Sequence, residues 1–366
     1  MRILSYFCAV LLLFLMCANT SATPEDWPDT SAYIERVRWQ PQGQWILFVR
    51  QGDDGTERRI YKIRPDGSGL VALSPVGSQD DWPVWSPDGL QIAFVSSKRG
   101  ASNVYKMDAD GSNVTPLGYH PGVISLVRWL SDGRIVFIAG RGDGGPMLGT
   151  LHASTGQEDR FWCNANDADW HPSDSRVVVS RVKTDEGIYC NLFEVDLHTK
   201  QEHQITFGNE VDDSPRYSPD GEWIVFHSCR DKGGGRNIWL VQRDGSNLHS
   251  LPLPDDPTKE ESDADFSPDE QYLAFARGDY APTDLYICRI DGTDLRKITS
   301  FYPDDQAKAG GVLKVAKASG KSMPVRSKPA PAQKSQPARP ADKKEEKRSS
   351  GAPLPWIAPP IPIKKH

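Results

Sequence analysis

The sequence has little cysteine, no long apolar run after its first residues, and no residue spacing typical of a metal centre. It contains six cysteines in 366 residues, and no two of the four that follow residue 17 lie two to four positions apart, which excludes the usual zinc-binding patterns. Beyond residue 17 no apolar run approaches the roughly 20 residues that cross a bilayer. Glycine and proline are plentiful, at 31 and 29 residues, and this favours many short strands over long helices.

The charge is divided between an acidic body and a basic C-terminal segment. The whole chain carries -6, but residues 23–305 carry -18 and residues 306–366 carry +11. Residues 300–366 are rich in lysine, proline and alanine, and we predict a disordered tail because such a segment has too little apolar surface to fold. Its charge favours contact with an anionic cell-wall polymer or membrane surface, and binding to the acidic body is the alternative. No nucleic-acid partner is predicted.

The N-terminus has the order of a secretory signal peptide. Arg2 precedes an apolar run to Cys17, and small polar residues lead to a predicted cleavage site after Ala22. Residues 1–22 therefore predict a periplasmic or secreted protein, with residues 23–35 as a short lead-in. The alternative is a lipoprotein acylated at Cys17, which is disfavoured because Met16 stands where such signals carry a small residue.

Four cysteines remain after the predicted cleavage, namely Cys163, Cys190, Cys229 and Cys288. An even number in an exported chain permits disulfides with three possible pairings. Separate buried thiols on successive strands are the alternative, and the sequence leaves both open.

One pattern recurs six times between residues 36 and 299. Each copy has an aromatic residue, a turn such as Ser86-Pro-Asp-Gly89, an apolar strand, a second strand, a second turn and a closing strand. Proline presets the first turn position and glycine accepts the positive φ that closes it. The six aromatic residues, which we call the anchor aromatics, are Trp39, Trp85, Trp129, Trp170, Tyr217 and Phe266.

The repeat predicts an all-β fold, a six-bladed β-propeller of four-stranded antiparallel blades. A unit of about 45 residues that forms one small sheet buries its faces only against its neighbours around a ring. We expect the anchor aromatics to pack between blades. We also expect the ring to close without a strand exchanged between the two ends, because all six copies have the same phase.

The repeat resembles the TolB-type propeller repeat, which belongs to the WD40-like group, best seen at residues 81–117 and 213–251. The resemblance covers residues 36–299 and implies the fold and an envelope location. The family also carries a separate N-terminal α/β domain, for which residues 23–35 leave little room. Related propellers precede peptidases, but the sequence has no Gly-x-Ser-x-Gly nucleophile motif, so a peptidase is not predicted.

Acidic residues precede the anchor aromatics in four of the six copies. Symmetry should gather them at one mouth of the central channel, as a negative funnel for a basic peptide or for calcium. A solvated rim that only caps turns is the alternative. The residues are Asp80, Asp81, Asp167, Asp169, Asp212, Asp213, Asp263 and Asp265.

From these observations we predict a monomeric, non-enzymatic module that binds an envelope protein or peptide without a cofactor. The competing hypothesis is a carbohydrate-active enzyme that resembles oligogalacturonate lyases and gathers distant histidines over the axis. His171, which replaces the serine of the first turn in the fourth copy, is the histidine that would test this hypothesis.

Overall fold

The computed structural model describes residues 33–52, 57–97, 102–117, 122–140, 147–161, 165–172, 175–183, 189–230, 235–254, 259–278 and 283–299. These residues form six four-stranded antiparallel sheets, so the predicted all-β propeller is confirmed. No helix long and apolar enough to span a membrane occurs among them. The predicted signal peptide, Cys163 and the predicted tail lie outside the described residues.

The strands follow the repeat copy by copy, and each copy is one blade. Blade 1 comprises β1 (Tyr33–Trp39), β2 (Ile46–Gln51), β3 (Arg58–Ile63) and β4 (Val71–Ala72). Blade 2 comprises β5 (Asp80–Trp85), β6 (Gln91–Ser96), β7 (Asn103–Asp108) and β8 (Thr115–Pro116). Blade 3 comprises β9 (Val123–Trp129), β10 (Arg134–Ala139), β11 (Met147–His152) and β12 (Glu158–Phe161).

The second half of the chain repeats this arrangement. Blade 4 comprises β13 (Asp167–Trp170), β14 (Arg176–Lys183), β15 (Tyr189–Asp196) and β16 (Glu202–Gln204). Blade 5 comprises β17 (Asp212–Tyr217), β18 (Trp223–Ser228), β19 (Asn237–Gln242) and β20 (His249–Ser250). Blade 6 comprises β21 (Glu260–Phe266), β22 (Tyr272–Gly278), β23 (Thr283–Arg289) and β24 (Arg296–Lys297).

Among the described residues the ring closes as predicted, without an exchanged strand. Each sheet consists of four strands that are consecutive in the chain, and β1 pairs with β2 of its own blade. The seam between blades 6 and 1 is held by side chains, and the backbone N–H of Ile34 donates to Thr283 Oγ1 at 2.7 Å. Because the first strand of each blade contacts the first strands of both neighbours, these six strands surround the axis.

The hydrophobic core consists of six clusters, each lying between two neighbouring blades. Trp85, for example, packs with Leu47 of blade 1 and Phe94 of its own blade. The other anchor aromatics occupy the same place in the other five clusters. Their predicted role in packing between blades is therefore confirmed, and truncation of a buried aromatic of this kind to alanine costs about 3–5 kcal/mol.

The first turns have the geometry that their residues favour. Ser86 Oγ donates to Asp88 Oδ1 at 2.6 Å and accepts from the N–H of Gln91 at 2.8 Å. Gly89 closes the turn with a φ of 68°. Because the turn ends each first strand at a fixed position, the residues that precede the anchor aromatics face the axis at matching heights.

Four of the six first strands contain a β-bulge three residues before the anchor aromatic. The pairing register shifts there in blades 1, 2, 5 and 6. The bulged residues have a left-handed backbone although none is glycine, with φ between 51° and 59°. They are Arg36, Trp82, Ser214 and Asp263.

The described cysteines are not bridged to one another. Cys190, Cys229 and Cys288 are free thiols, and Cys190 and Cys288 are buried. Burial raises the pKa of the Cys288 thiol to about 12. These three positions therefore fit the alternative of separate buried thiols.

Candidate functional site

A cavity of about 350 Å³ opens at the end of the axis where the first strands meet their turns. We call this opening the turn-side mouth. All six blades line it, mostly with rigid apolar side chains from the anchor aromatics and from the turns. The rim consists of Trp39, Pro41, Trp85, Pro87, Trp129, Pro172, Tyr217, Pro219, Phe266 and Pro268.

The floor of the turn-side mouth carries five charged residues, each immediately before an anchor aromatic. We call them the arginine layer, and it consists of Arg38, Arg128, Asp169, Arg216 and Asp265. Arg128 is paired with Asp169, and Arg216 lies 3.5 Å from Asp167 of blade 4, so that Arg38 is the guanidinium of this layer without an ion pair among the described residues. The predicted site consists of carboxylates of these strands alone, and the three arginines are not part of it.

Both carboxylates of the arginine layer connect neighbouring blades. Asp169 of blade 4 receives two hydrogen bonds from Arg128 of blade 3, at 3.0 and 2.7 Å, and one from the N–H of Tyr217 of blade 5 at 2.9 Å. Asp265 of blade 6 accepts from the N–H of Trp39 across the seam at 2.7 Å. These carboxylates are therefore already occupied by the protein itself.

Arg38 and Arg216, by contrast, keep donors that nothing else in the described part of the chain uses. Arg38 is 8% exposed and Arg216 is 3% exposed, and the Nε of each has no hydrogen-bond partner among the described residues. Arg38 Nη1 donates to the carbonyl of Val37 at 2.8 Å. Burial, together with the charge of Arg216, lowers the pKa of Arg38 to about 10. Arg38 is therefore still a cation at neutral pH.

A second charged layer lies further along the same strands, roughly 7–10 Å away at 3.3 Å per residue. We call it the acidic layer, and it consists of Glu35, Arg36, Asp81, Asp167, Asp213 and Asp263. Arg36 lies among the carboxylates, 3.7 Å from Asp81 and 3.6 Å from Asp263. Its guanidinium stacks on the Trp82 ring, 3.6 Å from the centroid.

The carboxyl groups of the acidic layer differ in how well they are compensated. Burial and the charge of Asp167 raise the pKa of Asp213. Burial also acts to raise the pKa of Asp263, but Arg36 and His227 outweigh it, so that this pKa is lowered. His227 lies opposite Asp213 on β18, and burial lowers the pKa of this imidazole. The layer therefore holds an excess of negative charge that the protein only partly neutralises.

The eight predicted carboxylates do not form one open acidic funnel. Six of them are buried, and only Asp213 and Asp265 are half-buried. Asp169 and Asp265 belong to the arginine layer, whereas Asp212 binds Ser228 and Arg230 at 2.6 and 2.5 Å. Asp80 is buried opposite Ser96. The funnel was expected because the prediction left out the arginines that alternate with these residues.

A signal for the arginine layer was present in the sequence. Arginine stands directly before the anchor aromatic in three of the six copies, at positions 38, 128 and 216. Because every copy has the same phase, these three residues had to face the axis at one height. The turn-side mouth could therefore have been found by aligning the six copies by position.

Comparison with known proteins supports the fold. No family model matches the sequence. A protein TolB homolog of Chlorobium chlorochromatii is 27% identical over 178 residues, which cover 48% of this chain and 38% of the homolog. An uncharacterized protein of Agrobacterium fabrum is 26% identical over 199 residues, which cover 52% of this chain and 64% of that protein. The chain thus spans less than two thirds of the length of both relatives.

Solved structures show the same architecture. TolB from Acinetobacter baumannii has a TM-score of 0.56 and 20% identity, with 73% of this chain and 63% of that chain covered. A putative TolB from Agrobacterium tumefaciens has a TM-score of 0.54 and 19% identity, with 63% and 84% covered. At such identities the likeness concerns the fold, and the function has to be argued from the two charged layers and the turn-side mouth.

Proposed function

We propose that this TolB-like β-propeller is a non-enzymatic module that binds a protein or peptide in the periplasm or cell envelope. The observation that carries the proposal is the turn-side mouth, to which all six blades contribute. Its aromatic and proline side chains lose little conformational entropy on binding, and a polar floor lies beneath them. Such a surface suits the end of a polypeptide or a loop that enters the axis.

The proposal is tested by adding carboxylates to the rim of the turn-side mouth. Pro87 and Pro219 are exposed turn residues that line it. The double variant Pro87→Glu/Pro219→Glu should keep the melting temperature but reduce capture of a partner from envelope extract at least tenfold, because the new charges would have to be desolvated. The matched control is Pro75→Glu/Pro116→Glu, which changes two exposed prolines outside the mouth. Equal capture by both double variants would contradict the proposal.

The enzyme hypothesis receives less support from the position of His171. This residue is buried, and its ring contacts that of Tyr217 edge-on, with 5.0 Å between the centroids. A Cβ at Gly221 would lie 2.1 Å from His171 Nε2, so the imidazole fills space against the turn of blade 5. Turnover of a glycan by the parent protein that is lost in His171→Ala would nevertheless overturn the binding proposal.

Binding of a cation to the acidic layer is a separate proposal. The uncompensated charge of the carboxylates supports it, although no three His, Cys, Asp or Glu side chains among the described residues are arranged to hold a metal ion, and Arg36 already occupies part of their surroundings. Titration calorimetry with calcium, on the parent and on Asp81→Asn/Asp213→Asn/Asp263→Asn, provides the test. A calcium signal in the parent that disappears in the triple variant is expected, and the absence of a signal in the parent would end this proposal.

The basic segment supports a proposal on attachment. Its charge of +11 over residues 306–366 favours an anionic envelope surface. Deletion of these residues should release the protein from isolated envelopes at low salt without changing its melting temperature. Unchanged sedimentation with envelopes would contradict the attachment, and a lower melting temperature would instead indicate binding to the propeller.

A further inference from the structure

We infer that the arginine layer recognises the C-terminal carboxylate of a partner polypeptide whose last residues enter the turn-side mouth. The inference rests on the proposed function, because it specifies which part of a partner the mouth receives. Three properties of the floor support the inference, namely its charge, its unused donors and its depth.

The charge of the floor favours an anion. Asp169 is held by Arg128 and by the N–H of Tyr217, and Arg216 lies 3.5 Å from Asp167, whereas Arg38 has no carboxylate within ion-pair distance among the described residues. A ligand carboxylate would supply Arg38 with an ion-pair partner in a place where water screens poorly. A cationic side chain would instead meet three arginines.

The unused donors are of the right kind for a carboxylate. A buried N–H without a partner costs free energy, and Arg38 and Arg216 each bury such an Nε–H. Both residues line the cavity. Guanidinium groups match carboxylates in planar geometry, and their mutual hydrogen bonds are stronger than those between neutral groups.

The depth of the mouth favours a chain end over an acidic side chain. The floor residues precede the anchor aromatics by one position, and the rim prolines follow them by two, as in Arg38, Trp39 and Pro41. Three residues at about 3.3 Å each place the floor roughly 10 Å below the rim. A side chain of a peptide that lies across the rim is too short, whereas two or three extended terminal residues reach that depth.

The walls of the turn-side mouth indicate which residues should precede that carboxylate. The partner segment should carry uncharged, apolar residues there, because the walls consist of aromatic and proline side chains.

The test uses the full chain, immobilised, and two peptide pools with the same four randomised C-terminal residues. One pool ends in a free carboxylate and the other in an amide. The parent should retain the free-acid pool at least tenfold over the amide pool, with enrichment of apolar residues. Arg38→Gln should lose that preference, and Arg38→Lys, which keeps the charge, should retain part of it. Arg296→Gln is the matched control, since Arg296 is exposed on β24.

Several outcomes of this experiment would overturn the inference. Equal retention of both pools by the parent, or an unchanged preference in Arg38→Gln, would exclude carboxylate recognition by this layer. If the rim variants nevertheless lose the envelope partner, the proposed function stands and only the inference fails. Arg38→Gln is interpreted only if its melting temperature matches that of the parent, and otherwise Arg38→Lys alone decides. Displacement of the free-acid peptides by oligogalacturonate at equal carboxylate concentration would assign the layer to an acidic sugar.

Discussion

The two charged layers of the channel lie on the same strands but differ in how their buried charges are compensated. In the arginine layer, Asp169 receives hydrogen bonds from blades 3 and 5, and so the charges connect the ring. In the acidic layer, Arg36 lies within 4 Å of three of the five carboxylates, those of Glu35, Asp81 and Asp263, and Arg58 reaches Glu35 and Asp81 from β3. The first layer is mainly structural with spare donors, and the second is mainly an accumulation of like charge.

The backbone explains part of the difference. The arginine layer lies directly before the anchor aromatics, where each of its residues pairs with the second strand of its blade, so that its side chains keep a fixed height. The acidic layer lies at the β-bulges, where Arg36 and Asp263 have left-handed φ values of 59° and 53°. Bulges turn additional side chains towards the axis, and so more charges share one level. Substitutions in each layer should therefore differ in size and in pH dependence.

The largest effect is expected for Asp169→Asn in the arginine layer. The change would leave Arg128 without its two charged hydrogen bonds, and removing one partner of a buried ion pair costs about 3–5 kcal/mol. We expect about 3 kcal/mol, because Arg128 is partly exposed. Urea denaturation at pH 7 measures the loss. The matched control is Asp294→Asn, whose ion pair with Arg296 is exposed and should contribute less than about 1 kcal/mol.

Arg36→Met should have an intermediate effect that depends on pH. Without Arg36, the carboxylates of Glu35 and Asp263 lose a neighbouring cation, so the pKa of Glu35, which burial already raises, should rise further, and the pKa of Asp263 should rise from its lowered value. Carboxyl groups of this kind destabilise the fold at high pH and cease to do so once they are protonated. We expect a loss of about 2 kcal/mol at pH 8 that shrinks towards pH 5. A loss independent of pH would mean that the contact with Trp82 matters more than the charges.

The sequence predicted the ring more fully than the channel. The turn at Ser86–Gly89 and the anchor aromatics depend on local residue preferences, which repeat six times and are readable from one chain. The chemistry of the channel depends on pairs such as Arg128 with Asp169, which are 41 positions apart and come from different blades. The bulges were not predictable either, because arginine, tryptophan, serine and aspartate have no common preference for a left-handed backbone.

The smallest effect, and the sharpest comparison, is expected for two aspartates of the acidic layer. Burial and Asp167 raise the pKa of Asp213, so between the unfolded value of about 3.9 and the folded value the native state binds the extra proton. Stability therefore falls as the pH rises through this window.

Asp213→Asn removes this dependence while its amide oxygen still accepts from the N–H of Ser214, which now donates to Asp213 Oδ1 at 2.9 Å. The variant should be about 0.5–1 kcal/mol more stable than the parent at pH 8, and the gain should vanish as the pH falls towards 4. Titration of His227 in the unfolded chain is common to parent and variant, so it largely cancels in the difference.

Asp263→Asn should change stability in the opposite direction, because Arg36 lowers the pKa of Asp263 below the unfolded value despite burial. That variant should be less stable than the parent at pH 8, with a deficit that disappears as the pH falls through the folded pKa. Thermal unfolding from pH 4 to pH 8 measures the stability of each variant relative to the parent. If both variants were more stable than the parent at pH 8, or both less stable, the two carboxylates would share one environment.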